Sequence, residues 1–260
     1  MNRLLLVLLL APFSMAAQST LNDLDGDGCV GATDILIILG QYGECQDPTI
    51  AFVCGDSILF DNYWYETALI GNQCWFAENL RNEIYANGDS IPYVTDNVIW
   101  PSLSSGARCD FGNNATNAST YGRLYNWYAV NDMRGLCPSN WHVPTDEEFM
   151  TLEIALGMSE TDANSVGWSR GTDEGAQLKA SASDSPSWNG TNTSDFHGLS
   201  GGQRFGGGSF GDNQFGLWWS ATDNSGTASS RILSSIYLTV KRDVVPSNHG
   251  LSVRCLKDPE

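Results

Sequence analysis

Thr145 and Glu148 stand three apart in the run HVPTDEEF and form the T-x-x-E of a capping box. In such a box the threonine hydroxyl and the glutamate carboxylate satisfy backbone donors that a helix start leaves without partners. A helix is therefore predicted from about Asp146. Pro144 holds Val143 extended, Phe149, Leu152 and Leu156 recur at helical spacing as one buried stripe, and Gly157 ends the helix. The surrounding stretch from Tyr121 to Leu152 is the most aromatic part of the chain, and Trp127, Tyr128 and Trp141 supply the bulk the helix packs on. Chemistry has to be sought elsewhere.

Residues 1–17, MNRLLLVLLLAPFSMAA, carry Arg3, an apolar run too short to span a bilayer, and small residues at Ser14, Ala16 and Ala17. This is the pattern of a secretory signal peptide. No later stretch has the length of a transmembrane segment, so a soluble protein outside the cytoplasm, extracellular or at the cell surface, is expected. Seven cysteines then imply disulfide bonds, and their odd number leaves one thiol or one intermolecular bridge. A formal net charge of -17 argues against a nucleic-acid partner, because nothing resembles the basic patch that phosphates need.

Residues 18–50 form a small module. In DLDGDGCVGATD, Asp23, Asp25, Asp27 and Asp34 fall at the first, third, fifth and twelfth positions of a calcium loop, with Gly28 at its sharp turn and the carbonyl of Cys29 at the seventh. Three carboxylates two residues apart converge on one hard cation, and the last closes its shell. The loop and the apolar helix ILIILGQYG after it resemble the EF-hand-like calcium repeat of dockerin modules. The resemblance implies a cohesin-like partner; dockerins carry two repeats, and one is legible here. Cys29 and Cys45 bracket the apolar helix, so a bridge between them would fasten loop to helix end, with Cys45 to Cys54 as the alternative.

From residue 51 to 260 the pattern is that of a larger domain. YWYETALI, Gly71-Asn72 and QCWFAENL read as a β-hairpin rich in aromatic and β-branched residues. Turn formers dominate residues 86–121, which read as long surface loop, and the sequons at Asn114, Asn117, Asn189 and Asn192 read as loop chemistry. A second short helix is predicted over 173–182, then Gly-rich loop to Gly216. GGQRFGGGSF lacks the Lys-Ser/Thr ending and preceding strand of a phosphate loop. LWWSATDN, RILSSIYLTVKRDV and GLSVRCLKD close the chain in sheet.

Taken in order, IGNQCWFAENL, YGRLYNWYAV, GLCPSNWHVPTDEEF, GLWWSATDN and GLSVRCLKD resemble the Fibrobacter succinogenes major paralogous domain, a secreted bacterial family of unassigned activity. That family in turn looks like a distant relative of the C-type-lectin-like fold shared with formylglycine-generating-type enzymes. The resemblance implies an α+β domain: a twisted antiparallel sheet, two helices, and long loops that hold any site. In that topology the last strand lies beside the first helix, which implies a bridge between Cys137 and Cys255. Cys74 and Cys109 are then left to pair with each other, and Cys54 becomes the odd thiol if Cys29 and Cys45 have joined.

No nucleophile with its base, paired carboxylates or further metal ligands can be read from the sequence, so no catalytic residue is assigned. His142, in WHVP, reads as a hydrogen-bonded structural residue, and His197 and His249 as loop residues without partners; Glu147 and Glu148 suit a helix's first turn. The expected function is a secreted, non-catalytic binding protein for a glycan or other surface polymer, with calcium as cofactor. Trp100, Trp168 and Trp188, set in loops, are the candidate ligand-binding rings, since aromatics stack on sugar faces. The alternatives are a dockerin-type partner in an extracellular polysaccharide-degrading assembly, or an enzyme on the formylglycine-generating-type fold.

Overall fold

Gly71 and Asn72 reverse the chain between two paired strands, and Gly71 does so at φ +63°, a left-handed backbone that favours glycine. The computed structural model describes residues 52–211 and 214–259. Asp23, Asp25, Asp27, Cys29, Asp34 and Cys45 lie outside these residues. The described strands are β1 (Ile58–Phe60), β2 (Tyr63–Tyr65), β3 (Thr67–Ile70), β4 (Gln73–Phe76), β5 (Arg108–Cys109), β6 (Leu124–Asn126), β7 (Trp141–His142), β8 (Phe215–Asp223), β9 (Thr227–Ser234), β10 (Lys241–Pro246), β11 (Gly250–Leu251) and β12 (Leu256–Lys257). The described α-helices are α1 (Ala115–Tyr121), α2 (Trp127–Val130), α3 (Asp146–Ala155), α4 (Glu160–Asn164) and α5 (Glu174–Leu178). This is a sheet-rich α+β arrangement.

The strands pair antiparallel in four small sheets, ordered β1-β2, β3-β4-β12-β7, β11-β6-β5 and β10-β9-β8. The expected first hairpin is divided. Only TALI and QCWF pair across Gly71-Asn72, while YWY pairs with ILF across Asp61-Asn62, whose φ of +47° and +59° suit a tight hairpin turn. The closing GLSVRCLKD is likewise two strands, β11 against β6 and β12 between β4 and β7, so the chain end ties two sheets together.

α3 starts at Asp146. The Thr145 hydroxyl accepts from the Glu148 amide at 3.2 Å, and the Glu148 carboxylate accepts from the Thr145 amide at 2.8 Å. Phe149 and Leu152 enter a core with Ile70, Trp75, Leu178, Phe196, Trp218, Leu233, Val240 and Leu256, with Leu156 packed at its edge. The same face also buries Asp146 and Glu153. Arg231 reaches both, Nη1 to Asp146 at 2.6 Å and Nε to Glu153 at 2.6 Å; Arg170 closes on Glu153 at 2.5 Å and Arg242 on Asp146. Buried carboxylates at the start and near the end of the helix's inner face are not visible in its apolar stripe.

Two expectations for the loops change. Residues 86–121 are not only surface: Ile91, Trp100, Ala107, Arg108, Cys109 and Asp110 are buried, and the segment ends in α1, capped where the Asn114 side chain accepts from the Thr116 amide at 3.1 Å. The helix expected over 173–182 is the shorter α5, which stops as the chain at Lys179 turns extended.

Cys137 and Cys255 are bridged. Cys74 joins Cys54 and not Cys109, so Cys54 is not the odd thiol. The physical reason lies in the segment before β1: Gly55 donates its amide to the Thr67 hydroxyl at 2.9 Å, and that hydroxyl donates to the Asp56 carbonyl at 2.7 Å, which lays Cys54 against the β3-β4 hairpin. Cys109 belongs to β5, in a different sheet, buried as a free thiol with Trp100, Ala107 and Leu124. Burial pushes that thiol up to about 12.

Glu153→Ala leaves Arg170 and Arg231 buried with their shared carboxylate gone. A loss of about 3–5 kcal/mol of unfolding free energy is expected from urea titration, the cost of breaking a buried pair from one side. An unchanged midpoint would mean that the network contributes nothing to stability.

Candidate functional site

A groove of about 420 Å³ opens where five segments meet: β2 at Tyr63, Glu66 just beyond it, residues 77–81 after β4, the end of α1 at Ser119, Thr120 and Tyr121, and the irregular stretch from Ser185 to Leu199. Tyr63 lies on β2 and residues 119–121 on α1, while Glu66 and residues 77–81 follow β2 and β4 without regular structure of their own. β4 runs out at Phe76, and the irregular chain after it brings Glu78 and Arg81 into the groove lining.

Its polar groups are tightly tied. Glu78 accepts from the Tyr63 hydroxyl at 2.6 Å and from Arg81 at 2.7 Å, while the Arg81 guanidinium lies 3.9 Å above the Tyr63 ring and donates to the Ser119 carbonyl at 3.1 Å. Burial, reinforced by the bond to Glu78, pushes the Tyr63 phenol up to about 12, so it stays a donor at neutral pH. Asn79 is locked from behind, donating to the Tyr121 carbonyl at 2.9 Å and accepting from Trp218 at 2.7 Å and Arg254 at 2.9 Å.

The opposite wall is strained. Asn192, Asp195 and His197 all hold left-handed backbone, at φ +51°, +55° and +49°. Such positions cost about 1 kcal/mol or more each in non-glycine residues and persist where the surroundings over-determine them. The Asn192 side chain accepts the His197 amide at 2.9 Å, and the wholly buried Arg254 donates to the carbonyls of Phe196 and, at 3.0 Å, His197. Burial pulls Arg254 down to about 9. Burial first, then the Arg254 charge, holds His197 below its ordinary 6.5, so its ring is neutral at pH 7. His197 is not without partners: its Nδ1 lies 3.4 Å from Asn192 and 3.9 Å from Asp184.

A second groove of about 480 Å³, lined by Asp61, Asn62, Glu83, Ile84, Ser90 and Arg108, shares Tyr63 and Arg81 with the first. The stacked pair is thus a ridge between two adjoining depressions. Glu83 sits there between Arg108, at 2.8 Å, and Arg123, which also closes on Asp110 at 2.5 Å.

None of the three candidate tryptophans lines the groove. Trp100 is a core residue, 0% exposed, donating its Nε1 to the Asn248 carbonyl at 2.8 Å beneath the Arg204 guanidinium. Its place between turn formers looked like surface loop, but residues 94–97 fold over it through bonds to Arg204. Trp188 is half-buried against the main core, with the Lys179 ammonium 5.5 Å from its ring. Trp168, also half-buried, stacks on Tyr237 with ring centroids 4.4 Å apart. The groove's own residues went unread in the sequence because they come from five segments. Two local signals could have found them: the charged run Glu78-Asn79-Leu80-Arg81 directly after an apolar strand, and Asn192, Asp195 and His197, residue types that tolerate left-handed backbone.

Among the described residues no cluster of three or more His, Cys, Asp or Glu side chains could hold a metal, and no helix is long and apolar enough to cross a membrane. What the fold and groove define is a sheet-rich α+β domain with a cleft built on loops. The Fibrobacter succinogenes major domain matches residues 69–257, and the chain belongs to that family. The matched span includes the Glu78 to Arg81 run and the strained wall, and begins after Tyr63 and Glu66. No curated protein and no solved structure matches the chain.

His142 ties the helix start to the chain end, its Nε2 at 3.0 Å from Glu148 and its Nδ1 at 2.5 Å from Asp258. The bond to Glu148 raises the imidazole above its ordinary 6.5, and that to Asp258 adds to the rise. Glu148, despite the opposing effect of burial, is held down at about 2 by His142 and the Thr145 amide. A group raised in the folded state stabilises fully below its unfolded value and loses that contribution as pH rises through the folded one. Parent and His142→Gln should therefore differ most in unfolding free energy below about pH 6.5 and converge above it. Curves that stay parallel into alkaline pH would show that the charged link contributes nothing.

Proposed function

We propose that this chain is a secreted, non-catalytic binding protein that holds a glycan or other surface polymer in the groove between Tyr63 and His197. The observation that carries the reading is the pairing of two aromatic side chains, Tyr63 and Tyr121, with polar groups fixed by their own hydrogen bonds. Rings offer a face for sugar C–H groups, and donors and acceptors held in place bond hydroxyls without losing further rotamer freedom. The second groove, which shares Tyr63 and Arg81 with the first, favours an extended chain over a single sugar unit. Disulfides and the N-terminal signal-like stretch agree with an oxidising, extracellular location. The C-type-lectin-like topology is part of the same proposal, supported by the bridge from ahead of α3 to the last strand.

Retention on insoluble polysaccharide tests it. Tyr63→Ala and Tyr121→Ala are each expected to weaken binding about tenfold, the effect of losing a ring worth ~1.4 kcal/mol, while Trp168→Ala binds as the parent does. Loss confined to Trp168→Ala would move the site to the Trp168–Tyr237 stack and overturn the groove.

The N-terminal loop belongs to the proposal as its calcium site. Asp23, Asp25, Asp27 and Asp34, with the Cys29 carbonyl, would bind one ion with a Kd on the order of 10⁻⁴ to 10⁻³ M, the range of extracellular modules. With Cys54, Cys74, Cys137 and Cys255 paired and Cys109 enclosed, Cys29 and Cys45 remain to bridge each other and brace that loop. Calorimetry of the full chain should show calcium binding that Asp27→Ala abolishes; equal heats from the two would dismiss the site.

A further inference from the structure

We propose that the groove selects an amino-bearing glycan, a hexosamine unit whose protonated amine is held by Glu66 and Asp195 while its ring lies on Tyr63 or Tyr121. This rests on the reading of the groove as a glycan site and goes one step further, to the chemical class of the sugar.

The groove is unbalanced in charge. Its lining has three carboxylates, Glu66, Glu78 and Asp195, against one guanidinium, Arg81. Arg81 and Glu78 satisfy each other at 2.7 Å. Among the described residues the Glu66 carboxylate accepts only from the Ser57 hydroxyl, at 3.0 Å, and the Asp195 side chain meets no hydrogen-bonding or ionic partner. Two exposed carboxylates therefore face the groove without a cation, and the neutral His197 ring supplies none. The wider field has the same sign, since a chain of formal charge -17 attracts cations and repels uronic or sulfated sugars.

Charge alone would admit any ammonium group; the rings narrow the choice. A hexosamine carries its amine on a rigid ring whose C–H face can lie on a tyrosine while the nitrogen reaches a carboxylate beside it. A lysine side chain brings the same charge on a flexible stem and loses most of its rotamer freedom to hold it there. An N-acetylated hexosamine keeps the ring contact and lacks the charge.

Titration calorimetry of the full chain with glucosamine hexamer, its fully N-acetylated counterpart, cellohexaose and tetralysine, at mildly acidic pH where the amines are protonated, separates the possibilities. Glucosamine hexamer is expected to bind about fivefold tighter than either neutral oligomer, the scale of an exposed ion pair, and to lose that advantage in high salt. In a Glu66→Gln, Asp195→Asn double variant the ratio of the amino to the N-acetylated affinity should fall to about one, with thermal unfolding of the variant as the check on folding. Neutral oligomers binding as tightly as the amino form in the parent would overturn this inference and leave the glycan reading standing. Tetralysine matching the glucosamine hexamer would overturn it in favour of a basic peptide. A preference that survives the double substitution would place the amine elsewhere, and no binding by any oligosaccharide would remove both this inference and the reading beneath it. Should the double variant not fold, the parent's ligand ranking and salt dependence still decide.

Discussion

Backbone carbonyls in irregular segments need donors, and in this protein buried cations supply many of them. Arg204 donates to the carbonyls of Val94, Thr95 and Gly208, Arg254 to those of Phe76, Phe196 and His197, and Lys179 to those of Ser234 and Tyr237. None of the three has a carboxylate within ion-pair distance among the described residues. Burying a charge this way is costly, and burial does pull both Lys179 and Arg254 below their ordinary values. Each cation offsets that cost by gathering several backbone carbonyl oxygens around one buried head group. The long loops are thereby fixed in place without strands or helices of their own.

The groove inherits its rigidity from this arrangement. Arg254 sits behind one wall and bonds both the Asn79 side chain and the backbone of the strained 192–197 segment, so one buried guanidinium positions both sides of the cleft. Left-handed Asn192, Asp195 and His197 persist because these bonds, together with the Asn192 side chain's grip on the His197 amide, leave the segment no easier conformation.

The same device shapes the surface charge. Arg108, Arg170, Lys179, Arg204, Arg231 and Arg254 are buried, six of the chain's 13 lysines and arginines. Asp110, Asp146, Glu153 and Glu174 are buried with them, but most of the other acidic residues among those described are not. Spending cations on the interior therefore makes the solvent face more acidic than the composition suggests, and that is the field a ligand in the groove meets.

Local chemistry was legible in the amino-acid order. The capping box at Thr145 and Glu148, the Gly71-Asn72 turn, the apolar stripe of Phe149 and Leu152 and the final strands all follow from interactions within a few residues, which spacing records directly. The family could likewise be named from motifs that recur in order along the chain. The Cys137–Cys255 bridge apart, what only the tertiary structure decided was which partners meet across long separations: Cys54 with Cys74 in place of Cys109, Trp100 inside rather than out, Asp146 and Glu153 facing three arginines, and the groove's segments converging around Tyr63 and Arg81. The physical reason is that a residue's type limits what contacts it can make, whereas which partner it meets depends on how the whole backbone satisfies its buried donors and acceptors at once.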